Sequence, residues 1–121
     1  MKRTLMQLYL KNSAEAAAMY CEAFNAPIAV YGTFDDGNYM HAEIDVQGQI
    51  IAVSEATEPA VTGTTMQFCL HYGKGNEAMV QRAYDALCEG GTISFPLGEC
   101  SFSPLMADIT DKFGVRWCLF V

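Results

Sequence analysis

The sequence predicts an α+β protein of two tandem βαβββ modules with one helix each, their curved mixed β-sheets set around a cup. Three observations carry this. The last sixteen residues, Met106–Val121 (MADITDKFGVRWCLFV), read as two apolar strands joined by a turn at Asp111–Lys112–Phe113–Gly114. Met40–Glu55 (MHAEIDVQGQIIAVSE) reads as the same hairpin 66 positions earlier, which puts Met40 on Met106, Asp45 on Asp111, Gly48 on Gly114, Ile51 on Trp117 and Val53 on Leu119. The segments before each hairpin also recur in one order, strand, helix, strand.

Thr4–Leu10 is an apolar strand. A helix over Ala14–Phe24 follows: alanines and Glu15 favour it, Asn12 or Ser13 offers an N-cap, Met19, Tyr20 and Phe24 supply an apolar face, and Pro27 ends it. Ile28–Phe34 is β-branched and aromatic and runs into an Asp35–Asn38 turn, and Tyr39–Val46 with Gln49–Glu55 forms the first hairpin. Thr57–Gly63 (TEPAVTG) has no periodicity, so module 1 spans residues 1–57, a linker 58–63 and module 2 residues 64–121. In module 2 the expected elements are a strand over Thr65–Tyr72, a helix over Glu77–Glu89 capped by Asn76 and stopped at Gly90–Gly91, a strand over Thr92–Leu97, a loop over Gly98–Ser103 and the final hairpin.

Composition narrows the classes. A 121-residue chain with 51% hydrophobic and 17% charged residues is compact and folded, with roughly two thirds of its unfolded surface buried. No run approaches the ~20 apolar residues of a membrane span, and Met1–Leu5 has no signal-peptide core, so a cytoplasmic protein without membrane contact is expected. A net charge of −7 argues against nucleic-acid partners. The five cysteines, odd in number and never spaced C-x-x-C, read as reduced, mostly buried thiols.

Strand alternation sorts side chains by face. Met6, Leu8 and Leu10, then Met66, Phe68, Leu70 and Tyr72, then Ile51 and Val53, then Val115, Trp117, Leu119 and Val121 pack under the helices. The opposite face collects Leu5, Gln7, Tyr9, Ile50, Ala52, Ser54, Gln67, Cys69, His71, Arg116, Cys118 and Phe120. This mixture suits a small-molecule cup. His71 is a candidate general base or ligand donor; His41 and Glu43, on one face of their strand, are a candidate acid/base pair. Cys118 and Cys69 can meet across the cup, as packing thiols or with Cys118 as a nucleophile beside Arg116. Arg116 can hold an anionic group or pair with Glu43, Asp108 or Asp111. Tyr9 and Phe120 are stacking candidates, Phe102 in the 99–103 loop can act as a lid, and Trp117 is core.

The opening YLKNSAEAAAMYCEAF, the EGGTISFPL stretch and the ending DKFGVRWCLF together make the whole chain resemble the vicinal oxygen chelate superfamily of glyoxalases, ring-cleaving dioxygenases and fosfomycin and bleomycin resistance proteins. Met40–His41–Ala42–Glu43 before a hairpin is most similar to its PhnB-like branch, whose methyltransferase label finds no S-adenosylmethionine motif here. The resemblance implies a metal held by one residue from each of four equivalent strands, positions that fall here on Leu5, Ala52, Gln67 (or its neighbour Phe68) and Cys118. Two hydrocarbons, one amide and one thiol do not make a divalent-ion shell, so no metal and no cofactor is expected. The resemblance also implies a homodimer, and the apolar C-terminal strand is expected to need edge cover. Three readings stay open: a metal-free binding module for a small organic ligand; an enzyme, either a lyase or dioxygenase holding a divalent metal in a rearranged site on His41, Glu43 and His71 or a metal-independent acid/base catalyst; or a structural or regulatory dimer.

Overall fold

A computed structural model describes all residues, Met1–Val121, and its strands form two four-stranded sheets, one in each of two compact units, Met1–Val61 and Thr62–Val121. Unit 1 runs β1 (Met6–Leu10), α1 (Ser13–Phe24), β2 (Ile28–Thr33), β3 (Tyr39–Val46) and β4 (Gln49–Glu55), in the sheet order β1-β4-β3-β2. Unit 2 runs β5 (Phe68–His71), α2 (Glu77–Leu87), β6 (Thr92–Gly98), β7 (Met106–Thr110) and β8 (Arg116–Phe120), in the order β5-β8-β7-β6. In each sheet the first strand lies parallel to the last and the other pairs are antiparallel. The chain is α+β, with one βαβββ module and one helix per unit.

One sheet face in each unit is closed by its helix. Ala16, Ala17, Tyr20, Ala23 and Phe24 recur at the three- and four-residue spacing of one helix face and bury against Ala42, Ile44, Ile51 and Val53. Val80, Ala83 and Leu87 do the same over Ala107, Ile109, Trp117 and Leu119. Each large side chain taken out of water there contributes about 1.5–3 kcal/mol, and the alanines let the helix backbone approach the sheet.

The helix ends differ from the sequence expectation. Asn12 sits at φ 58° and makes no side-chain cap, and the Ser13 hydroxyl accepts the Tyr39 N–H instead (2.9 Å). The cap of α1 comes from far along the chain: Glu55 accepts the N–H groups of Asn12 and Ser13 (3.0 and 2.8 Å), and the Asn38 side chain accepts that of Ala14 (3.2 Å). Burial pushes the Glu55 carboxyl up, these N–H donors pull it down, and the result lies below the usual carboxylate range. The helix stops at Phe24 because Asn25 turns left-handed, two residues ahead of Pro27. Asn76 stands at the N-cap position of α2 as expected, but its side chain makes no cap bond; its amide donates to the Tyr72 and Gly73 carbonyls.

Three further expectations are corrected. β5 begins at Phe68, not Thr65, because its ladder to β8 starts with the Phe68–Trp117 pair, and Met66 is exposed instead of lying under the helix. The C-terminal strand β8 is flanked by β5 and β7 and needs no cover; the true edges are β1, β2, β5 and β6. The thiols are not mostly buried: only Cys118 is, while Cys69 is exposed and Cys21, Cys88 and Cys100 are partly covered.

The hairpin repeat holds on its second strand and slips by one residue on its first. Ile51 pairs with Ile44, whereas Trp117 pairs with Ile109, 65 positions on from Ile44. The β3–β4 turn is the two-residue Gln47–Gly48, both at positive φ, which matches strand twist. The β7–β8 connection is longer and is organised by buried Asp111, whose side chain accepts the N–H groups of Phe113 and Val115 and the Trp117 indole N–H (2.9, 3.0 and 2.9 Å). Gly91 must lack a side chain, because a Cβ there would lie 2.4 Å from the Thr110 carbonyl.

Candidate functional site

The candidate residues stand on the helix-free face of each sheet. In unit 1 the central row is Gln7–Ala52–Glu43, in direct register across β1, β4 and β3, and Tyr9–Ser54 is the next pair along. His41 lies two residues before Glu43, so it shares this face. Its Nε2 is 3.0 Å from Glu43 Oε1, and its ring lies 5.7 Å from that of Tyr31. Arg3, from the segment ahead of β1, donates both guanidinium nitrogens to Glu43 (2.8 and 2.7 Å). Arg3 first, then His41, holds the Glu43 carboxyl down at about 2. Nothing in the sequence flagged Arg3, since it lies outside every periodic segment and meets Glu43 only through the fold.

This face is occupied by its own polar groups. Gln7 donates to the Leu8 carbonyl and to Ser54 Oγ (both 3.1 Å), and Ala52 and Ser54 are buried, so β4 is covered on both sides. Tyr9 points out, 65% exposed.

Unit 2 sets different chemistry on the same frame. Its central row is Cys69–Cys118–Asp108, followed by His71–Phe120–Met106. Cys69 and Cys118 are thus direct neighbours across parallel strands rather than partners meeting across a cup. Burial pushes the Cys118 thiol up to about 11, with the adjacent Cys69 adding to it, so Cys118 carries little thiolate at neutral pH. Of the three carboxylates open to it in the sequence, Arg116 pairs with Asp108 (3.0 and 3.4 Å) and also donates to the Thr64 carbonyl (3.1 Å). His71 stacks on Phe120 with ring centres 4.5 Å apart and 13° between planes, and Phe102 meets the same ring edge-on at 5.5 Å. Just ahead of β5, next to Cys69 and at the other end of the strand from this stack, the Gln67 side-chain nitrogen is buried with no hydrogen-bond partner, as is the Tyr72 hydroxyl, a state that costs free energy unless a ligand or water supplies a partner.

The four positions implied for a metal do not fit one. Leu5 precedes β1, Ala52 is a buried methyl, Gln67 precedes β5, and Cys118 holds its proton. Nowhere do three His, Cys, Asp or Glu side chains converge as a metal shell requires, and the closest polar cluster, His41–Glu43, is closed by Arg3.

No protein-family model matches the sequence, and no curated protein matches it. Solved structures do. Protein PA1353 from Pseudomonas aeruginosa superposes with a TM-score of 0.82 at 22% identity, covering 99% of this chain and 97% of its own. The PhnB protein from Bacillus cereus gives 0.82 at 23%, covering 98% of each chain. The fosfomycin resistance protein FosX from Listeria monocytogenes gives 0.70 at 14%, covering 99% of this chain and 92% of its own. The tandem βαβββ units, their strand order and these superpositions agree: the chain has the fold of the vicinal oxygen chelate superfamily, in the form seen in PhnB.

Proposed function

We propose that this chain is a metal-free small-molecule binding protein that docks a flat organic ligand on the helix-free face of unit 2. The observation that carries the reading is the His71–Phe120–Phe102 cluster, with the unpartnered Gln67 donor farther along β5 beside Cys69. An aromatic wall suits a planar ligand, and a donor left unpartnered along the same strand suits one that bears a hydrogen-bond acceptor. The enzyme reading on His41 and Glu43 is weaker, because a carboxylate held at about 2 by Arg3 is a poor base at neutral pH.

The protein works as a homodimer in a reducing, cytoplasmic setting. The support is a pair of edge strands apolar beyond what a lone edge tolerates: Ile28, Val30 and Tyr31 on β2, and Ile93 and Phe95 on β6, are all exposed. No helix is long and apolar enough to cross a membrane, and the charge of −7 disfavours nucleic acid.

The test is native mass spectrometry of purified protein for a co-purified molecule, then thermal shift with that molecule. At a hundred times its dissociation constant it stabilises by about 2.7 kcal/mol. Phe120→Ala is expected to weaken binding about tenfold or more, roughly 1.4 kcal/mol. Zinc, nickel or manganese is expected to leave the melting temperature unchanged, and sedimentation at tens of micromolar to show a dimer. A stoichiometric metal lost on His71→Ala would overturn the metal-free reading.

A further inference from the structure

Cys69 and Cys118 have a relation that ligand binding does not use. They face each other in direct register across the parallel β5–β8 ladder, with side chains on the same face. Adjacent strands lie about 4.8 Å apart, inside the roughly 4.4–6.8 Å of Cα separation that a disulfide spans. The two differ in access: Cys69 is exposed and Cys118 is 8% exposed behind it. A third thiol, Cys100, lies close enough to act electrostatically on Cys118, but it sits on a loop and outside the ladder.

We propose that Cys69 and Cys118 form a reversible intramolecular disulfide, a cross-strand oxidation site that takes its oxidising equivalents from a small disulfide such as oxidised glutathione. The exposed Cys69 reacts first. Its thiolate attacks one sulfur of the glutathione disulfide, breaks that S–S bond and expels one glutathione thiolate, leaving a mixed disulfide on Cys69. The Cys118 thiolate then attacks the Cys69 sulfur and expels the second glutathione. The two protons lost by the protein thiols end on the two glutathione thiolates, so one disulfide is reduced while one forms. The buried, largely protonated Cys118 makes the second step the slower one. The bridge ties the edge strand β5 to β8 beside Gln67 and Phe120, so oxidation alters the same face that bears the aromatic stack.

The experiment treats the full chain with oxidised glutathione under non-denaturing conditions and follows intact mass, titratable thiols and mapped peptides. The expected result is a fall from five free thiols to three, a single cross-link joining the Cys69 and Cys118 peptides, and full reversal by dithiothreitol. Cys118→Ala is expected to stop at a stable glutathione adduct on Cys69. Cys69→Ala, at an exposed position where folding is not at stake, is expected to yield neither bridge nor adduct at Cys118, and Cys100→Ser to leave the bridge intact. A wild-type protein that stops at the Cys69 adduct, or a cross-link that maps to Cys100, overturns the proposal. The readout needs no ligand, so its failure would leave the binding reading standing.

Discussion

In unit 1 the row across the middle of the open sheet face is Gln7, Ala52, Glu43; in unit 2 the equivalent row is Cys69, Cys118, Asp108. The acid recurs, and in both units an arginine neutralises it, yet the arginines come from unrelated places. Arg3 reaches Glu43 from the segment before β1, whereas Arg116 reaches Asp108 from the neighbouring strand β8. The next pairs diverge further, Tyr9–Ser54 against His71–Phe120. The buried side-chain groups without a hydrogen-bond partner, the Gln67 amide nitrogen and the Tyr72 hydroxyl, both lie in unit 2. A shared backbone register therefore fixes where a charge pair can sit without fixing the rest of the face.

The sharpest way to break the comparison is at its cores. Trp117 and Ile51 occupy equivalent, fully buried positions. Trp117→Ala is expected to cost about 3–5 kcal/mol and Ile51→Val about 0.5–1.5, each read as lost amide-exchange protection in its own unit. Equal losses would show that the units do not differ in how their cores are filled.

The turns come next. Asp111 accepts three N–H groups, one from the buried indole, whereas Asp45 accepts only the Gly48 N–H in an exposed turn (2.7 Å). Asp111→Ala is expected to lower stability by about 2–3 kcal/mol and Asp45→Ala by less than about 1, measured by urea unfolding, since orphaned buried donors are the costly ones.

The smallest effect concerns acid. The Glu43 carboxyl falls from 4.5 to about 2 on folding, so the folded state favours its charged form. Its contribution is complete above about 4.5 and is lost as pH drops from there through about 2. Urea midpoints taken from neutral pH down to this range are expected to fall more steeply for the wild type than for Glu43→Gln. Parallel curves would show that the Arg3–Glu43–His41 cluster does not hold unit 1 together.

Much of the fold is legible in the sequence. Tyr39–Val46 and Gln49–Glu55 are strands at the residues expected, because alternation and a glycine turn are local signals. Trp117 was legible as core for the same reason. The caps were not. Serine and asparagine at a helix start are the usual signal, but here Glu55, on a strand that closes much later, takes the N–H groups. The one-residue slip in the repeat was hidden as well, because a shift of 66 matches the second strands and turn glycines while the longer β7–β8 turn moves the first strand. With that slip unseen, Glu43 could not be matched to Asp108.

What the sequence determined by itself is the period: two copies of strand, helix and three strands, with one face of each sheet apolar enough to bury. These follow from side-chain alternation and turn residues a few positions apart, which no distant contact can easily override. Tertiary structure alone decided which groups on the open faces meet. Arg3 finding Glu43, Arg116 choosing Asp108 over its other acids, and Cys69 lying against Cys118 all depend on strand order and register, which bring together residues forty or more positions apart for the first and third of these pairs and align the hairpin for the second.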